Sequence, residues 1–347
     1  MDAVLSCMVT DSLGPGSLAD QLTAAVAEYI GLVGGIALRE RARALGIALD
    51  ELGLQPGVSI LLDPLLPHSY DASIRARGLK PLYADVLDSS FCLDPASAER
   101  AAAACAEAGG SVGAVICHST LGFVPDVAAL ATLGFPLIED VSDGIGANTG
   151  DERLGRFGRF VIVAMEPEHV VTAGGGTLLL ASSRNDRAAL RRAAEQLSAD
   201  TLLPDMNAAL GLTQIKEVEK YLARRSEIAA VFMRALMRGR HRAPVQPGEA
   251  ENVYLSFPVL VEGSVAEVTA YCRKKGVETG PAFAGSILDR YGRAASASED
   301  GPNDRPIAEA DYPVARSLLM RCLRFPLYPS LTAKEVAAVE RVLSSLP

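Results

Sequence analysis

From Val58 onward, short runs of β-branched and other apolar residues alternate with longer Ala-, Arg- and Glu-rich segments of helical period. This alternation is the signature of a parallel sheet covered by helices, and it makes the main domain α/β. The expected strands are Ser59 to Leu62, Leu82 to Val86, Gly113 to Cys117, Leu137 to Asp140, Phe160 to Met165 and Thr177 to Ala181. Helices are expected over Asp71 to Arg77, over Pro95 to Ala108 with Asp94 as N-cap, and over Val127 to Thr132 after Asp126. The last two strands are joined through Thr172, Ala173, Gly174, Gly175 and Gly176, too short a link for a crossover helix, so they should run antiparallel. A long helical pattern from Asn207 to Met237 ends near Gly239 and is followed by Pro244 and Pro247. That punctuation sets the expected boundary between a large domain, 1–240, and a small C-terminal α+β domain, 241–347. In the small domain, strands are expected over Val253 to Leu260 and Cys322 to Leu327, and helices over Val265 to Lys275 and Ala333 to Leu346. Ala294 to Asp304, rich in Ser, Ala, Gly, Asp and Pro, reads as a mobile surface loop.

Hydrophobic residues make up 49% of the 347 positions, ample for a buried core. The apolar runs, such as Val112 to Cys117, are far shorter than the roughly 20 residues of a membrane helix. The first twenty residues contain no Lys or Arg and are broken by Gly14, Pro15 and Gly16, which does not read as a secretory signal; a cytoplasmic protein is the expectation. Six scattered cysteines form no CxxC pair, which argues against a disulfide framework and a zinc site, and no metal is expected. A net charge of −9 without a basic stripe argues against nucleic-acid binding.

Several collinear segments carry a family resemblance. They are Leu13 to Gly16 with the helix-like Leu18 to Tyr29, Glu51 to Gly57 (ELGLQPG), His118 to Asp126 (HSTLGFVPD) and Ile138 to Ala147 (IEDVSDGIGA). Asn207 to Gln214 (NAALGLTQ), then Arg224 and Arg225 with Ile228 and Ala229, and Phe325 to Ser330 (FPLYPS) complete the order. Together they resemble the DegT/StrS family of sugar aminotransferases. The resemblance implies the fold-type-I architecture with a mostly parallel seven-stranded sheet, pyridoxal phosphate (PLP) as cofactor, and a dimer with each active site at the subunit interface.

Under that resemblance, Asp140 is the aspartate that pairs with the cofactor's pyridine nitrogen and keeps it protonated; read on its own, it could equally cap the following turn. Counting back from Gly175 and Gly176, the Schiff-base lysine falls on Glu168, with His169 beside it, and no lysine occurs between Lys80 and Lys216. A carboxylate cannot form the imine that transamination requires. Relatives that carry histidine in place of the lysine act as sugar 3-dehydratases, which His169 could match with a one-residue slip; otherwise Glu166, Glu168 and His169 decorate an exposed loop. The phosphate-holding Gly-Thr pair falls on Arg41 and Ala42, the later serine on Val163, and the partner subunit's asparagine on Asp200. Arg41 could serve as a charged phosphate ligand or be a solvated helix residue. The ring-stacking aromatic falls on His68, and the polar residue three after Asp140 is Asp143. His118 is either a packing histidine or a base, and the glycines at 174–176 either cradle an anion or permit tight backbone geometry.

Three functions are compatible with these residues. The chain could be a catalytically silent homologue, a binding or assembly subunit that pairs with itself or with an active paralogue. It could be an enzyme using PLP or its amine form (PMP) on a nucleotide-linked keto sugar, with His169 or His118 as base. Or Arg41, His68 and Asp143 could recognise a different small molecule.

Overall fold

The computed structural model describes residues 2–11, 13–297 and 312–347. Its helices are α1 (Asp2–Val9), α2 (Ser17–Ile30), α3 (Arg41–Glu51), α4 (His68–Arg75), α5 (Pro95–Glu107), α6 (Val127–Ala131), α7 (Arg184–Glu195), α8 (Asp205–Lys216), α9 (Val218–Leu236), α10 (Val265–Lys274), α11 (Ile287–Ala297), α12 (Pro313–Arg321) and α13 (Ala333–Leu343). The strands are β1 (Gly34–Leu38), β2 (Ser59–Leu62), β3 (Lys80–Tyr83), β4 (Val112–His118), β5 (Leu137–Asp140), the short pair β6 (Asn148–Thr149) and β7 (Glu152–Arg153), then β8 (Phe160–Ala164), β9 (Thr177–Ala181), β10 (Phe257–Leu260), β11 (Gly280–Pro281) and β12 (Cys322–Phe325).

Seven strands form one sheet in the order β1-β9-β8-β5-β4-β2-β3. The β3·β2, β2·β4, β4·β5 and β5·β8 pairs are parallel, and β9 runs antiparallel to both β8 and β1. Alternation of side chains divides the strands between two cores. Ala114, Ile116, Phe160, Ile162 and Leu179 pack with α3, α4 and α7, while Val115, Cys117, Val161, Val163 and Leu178 pack with α2, α5 and α8. Burial on both faces is why these strands read as unbroken apolar runs. A second sheet, β10-β12-β11, packs against α9, α10 and α13 around Phe232, Phe257 and Phe325.

Several details differ from the expectations. β1 lies outside the predicted set because Gly34 and Gly35 conceal its strand character. The single helix expected over Asn207 to Met237 is two, α8 and α9, broken at Glu217, whose backbone (φ −104°, ψ 2°) leaves the helical region. Of the loop expected over Ala294 to Asp304, residues 294–297 belong to α11, and the remainder lies outside the described residues. All six cysteines are free, and five of them are buried, as packing residues should be. Among the described residues, no helix is long and apolar enough to cross a membrane.

Candidate active site

The parallel strands β2, β4 and β5 all point their carboxyl ends at one edge of the sheet, where ligand crevices of open α/β sheets form. His118 and Asp140 are the last residues of neighbouring strands and pair in register. Asp63 follows β2 directly. Arg41 opens α3, Tyr70 lies in α4, Asp143 lies in the turn after β5, and His169 lies in the link between β8 and β9.

Asp140 is the centre of this cluster, and its side chain has no solvent exposure. Its Oδ1 accepts from the Ser142 amide at 2.9 Å and from the Ser142 hydroxyl. Its Oδ2 accepts from the Tyr70 hydroxyl and lies 3.7 Å from the Arg41 guanidinium. Asp140 therefore does cap the following turn, and its other oxygen serves a charged partner. Burial pushes its pKa up, but the charges of Arg41 and His118 and the Ser142 and Tyr70 hydroxyls outweigh burial and hold it below the usual aspartate value. The same contact works on the partner: burial lowers the Arg41 pKa, and Asp140, together with Tyr70, Asp143 and Glu166, more than restores it.

Arg41 also contacts His169 Nε2 at 3.0 Å, and Asp143 Oδ1 lies 3.4 Å from that nitrogen. The other ring nitrogen of His169 accepts from the Glu166 amide at 2.9 Å. Both nitrogens are thus committed, and His169 is buried. Asp143 accepts from the Leu121 amide at 3.0 Å, and despite burial its pKa is depressed by His118, His169 and Arg41. His118 Nδ1 sits 3.1 Å from the Thr120 hydroxyl, whereas its buried Nε2 has no hydrogen-bond partner and lies 3.8 Å from Asp143.

The fold thus brings Arg41, His118, Asp140, Asp143 and His169 together. A cavity of about 130 Å³ adjoins them, lined among others by Arg41, His118, Asp143, Glu168 and His169. His68 is separate: its ring packs edge-on against Tyr291 at 6.0 Å and does not line this cavity. Glu168 is exposed at the rim. Val163 is buried in β8, and Asp200 is exposed and bonded to Ser198. The glycines at 174–176 all have positive φ (68°, 122° and 112°), which permits the tight return toward Met165. Tyr70 belongs to the site without any mark in the sequence: its hydroxyl meets Asp140 from 70 residues away, and local sequence carries no signal of that contact. Glu139, inside the same motif, has a structural use, accepting the amides of Gly155, Phe157 and Gly158.

The sequence profile of the DegT/DnrJ/EryC1/StrS aminotransferase family matches residues 1–344. The chain belongs to this family. Among DegT-type relatives, L-glutamine:2-deoxy-scyllo-inosose aminotransferase of Micromonospora echinospora is 28% identical over 233 residues, covering 65% of this chain and 53% of that protein. GDP-perosamine synthase of Caulobacter vibrioides is 22% identical over 369 residues, covering 99% and 94%. A DegT/DnrJ/EryC1/StrS aminotransferase from Brucella abortus superposes with a TM-score of 0.88 at 18% identity, over 99% of this chain and 93% of that one. The PLP form of the sugar aminotransferase Spr1654 from Streptococcus pneumoniae gives 0.85 at 16% identity, over 99% and 94%. The DegT-type fold is thereby shown, and the family and its PLP-form structures point to pyridoxal phosphate as the cofactor of this fold. Among the described residues, no group of His, Cys, Asp and Glu could hold a metal ion.

Proposed function

We propose that this chain is a sugar-aminotransferase homologue that no longer transaminates, and that it serves as a ligand-binding or assembly subunit, as a homodimer or beside a lysine-bearing paralogue. One observation carries the reading: the carboxylate that would pair with a pyridine nitrogen is already enclosed by Tyr70, Ser142 and Arg41. A protonated ring would have to displace the Arg41 guanidinium and leave that cation without its counter-ion, which is costly in a buried site.

Two further observations support it. The adjoining cavity, about 130 Å³, is well under the roughly 300 Å³ at which small-molecule pockets begin. Glu168, at the lysine position, ends in a group that cannot form an imine, and Arg41 is turned toward Asp140 and His169 instead of standing free for a phosphate. The residues present do not fit the cofactor. A small molecule related to nucleotide sugars is the ligand class that the family suggests.

His118 favours a second reading. Its Nε2 lies at the cavity wall without a hydrogen-bond partner among the described residues, and in the neutral ring with the proton on Nδ1 it would be the base of a lysine-free enzyme using PLP or PMP on a keto sugar. Titration of the purified protein with PLP and with PMP, followed by absorbance and calorimetry, separates the two. The first reading predicts no saturable signal. Saturable binding that disappears in Asp140→Ala would overturn it and direct attention to sugar dehydration.

A further inference from the structure

A groove of about 1170 Å³ runs beside the enclosed cluster, between the link that carries Glu168, the helix α9 and the carboxyl end of β12. Glu168, His169, Leu255 and Arg324 line both this groove and the smaller cavity. The groove is large enough for a small-molecule ligand.

One wall of it is unusually rich in donors without partners. Arg324, half-buried on β12, makes no side-chain hydrogen bond or ion pair among the described residues. On either side of its strand stand two hydroxyl residues. Thr279 directly precedes β11, whose Gly280 pairs with Arg324, and Ser256 directly precedes β10, whose Phe257 pairs with Phe325. Both hydroxyls are buried and, among the described residues, have no hydrogen-bond partner. Arg225 of α9, 4% exposed, spends one terminal nitrogen on the carbonyls of Tyr254, Leu255 and Leu327 but leaves its Nε without a partner. All four residues line the groove.

Buried donors left unpaired are costly, and a fold that keeps several along one wall has them available for an acceptor. We infer that this wall is an oxyanion site, with Arg324 as the principal partner and Thr279, Ser256 and Arg225 as supporting donors for one carboxylate or phosphate group of a ligand lying in the groove. The other charges of the groove limit that ligand. Glu227 is neutralised by Arg224 at 3.0 Å, while Glu168 and Glu278 stand exposed at the rim and disfavour an extended polyanion. A guanidinium matches a single planar or tetrahedral oxyanion in two-pronged fashion, and an ammonium does not.

The inference rests on the reading that pyridoxal phosphate does not fill the neighbouring cavity, and the two can fail separately. Calorimetric titration of the full chain with inorganic phosphate and, in a second arm, with succinate tests it, in a buffer free of other oxyanions. Saturable binding is expected in at least one arm, and which arm responds identifies the group. Arg324→Ala should weaken it at least about tenfold, with Arg324→Lys recovering only part. Thr279→Val and Ser256→Ala, which remove hydroxyls and little volume, should each weaken binding without lowering the melting temperature, so a folding defect at Arg324 cannot imitate the result. Silence in both arms, or equal affinity in Arg324→Ala, overturns the inference and leaves the proposed function standing. Saturation in a separate cofactor titration overturns the proposed function itself, and it is told apart because it is read independently of the phosphate and succinate arms.

Discussion

Three buried acids at this edge of the sheet do not all move in the same direction, Asp140 and Asp143 down and Asp63 up, and that gives the protein a predictable pH profile. Asp140 and Asp143 have folded-state pKa values below the ordinary 3.8, so their stabilisation is present above about pH 4 and is lost as pH falls through and below it. Asp63 is the reverse case. It is fully buried, one oxygen has no partner, and burial pushes its pKa up to about 6 in spite of His118 and the Leu65 amide. Its unfolded form loses the proton near 3.8, so wild-type stability declines between pH 4 and about 6 on its account and is flat above. Asp63→Asn should therefore gain on the wild type through that window and hold a constant margin above it. Chemical unfolding at several pH values checks this; a margin independent of pH would contradict the assignment.

At the scale of elements, the apolar runs made the central strands legible because burial on both faces leaves no polar interruption. Asp94 and Asp126 were equally legible as caps, and both side chains accept from helix-start amides. β1 was hidden by its two glycines, and the break at Glu217 by an uninterrupted helical pattern in which Gln214, Lys216, Glu217 and Glu219 favour helix. The motif positions at 118, 140 and 143 could be found from sequence because they stand at or just after strand ends within recognisable motifs, whereas Tyr70 and Arg324 could not, since one meets Asp140 from 70 residues away and the other is placed in its groove by residues distant in the chain. The glycine link offers an element-scale test. Gly174 sits at φ 68°, a left-handed conformation that other residues tolerate, with only ordinary contacts around it. Gly176 sits at φ 112°, and an added Cβ would collide with Leu203. Gly174→Ala should cost about 1 kcal/mol and Gly176→Ala clearly more, in the roughly 1–3 kcal/mol range of backbone strain plus steric displacement. Equal losses in urea unfolding would contradict this geometry.

For the whole molecule, Arg225 joins parts that the sequence separates. From α9 it donates to the carbonyls of Tyr254, Leu255 and Leu327, it pairs with no acid among the described residues, and burial lowers its pKa to about 10. Arg225→Met should cost about 3 kcal/mol in urea unfolding by stranding those carbonyls, and a loss under 1 kcal/mol would show that the contact is dispensable. The half-buried Arg41 is the internal counter-ion of Asp140. The most direct measurement is the calorimetric affinity for PMP of the wild type beside Arg41→Gly. If Arg41 occupies the cofactor's place, Arg41→Gly binds at least about tenfold more tightly than the wild type, which shows no saturable heat. If Arg41 were instead a phosphate ligand, the wild type would bind and Arg41→Gly would bind more weakly, and that result would contradict its assignment as the counter-ion of Asp140.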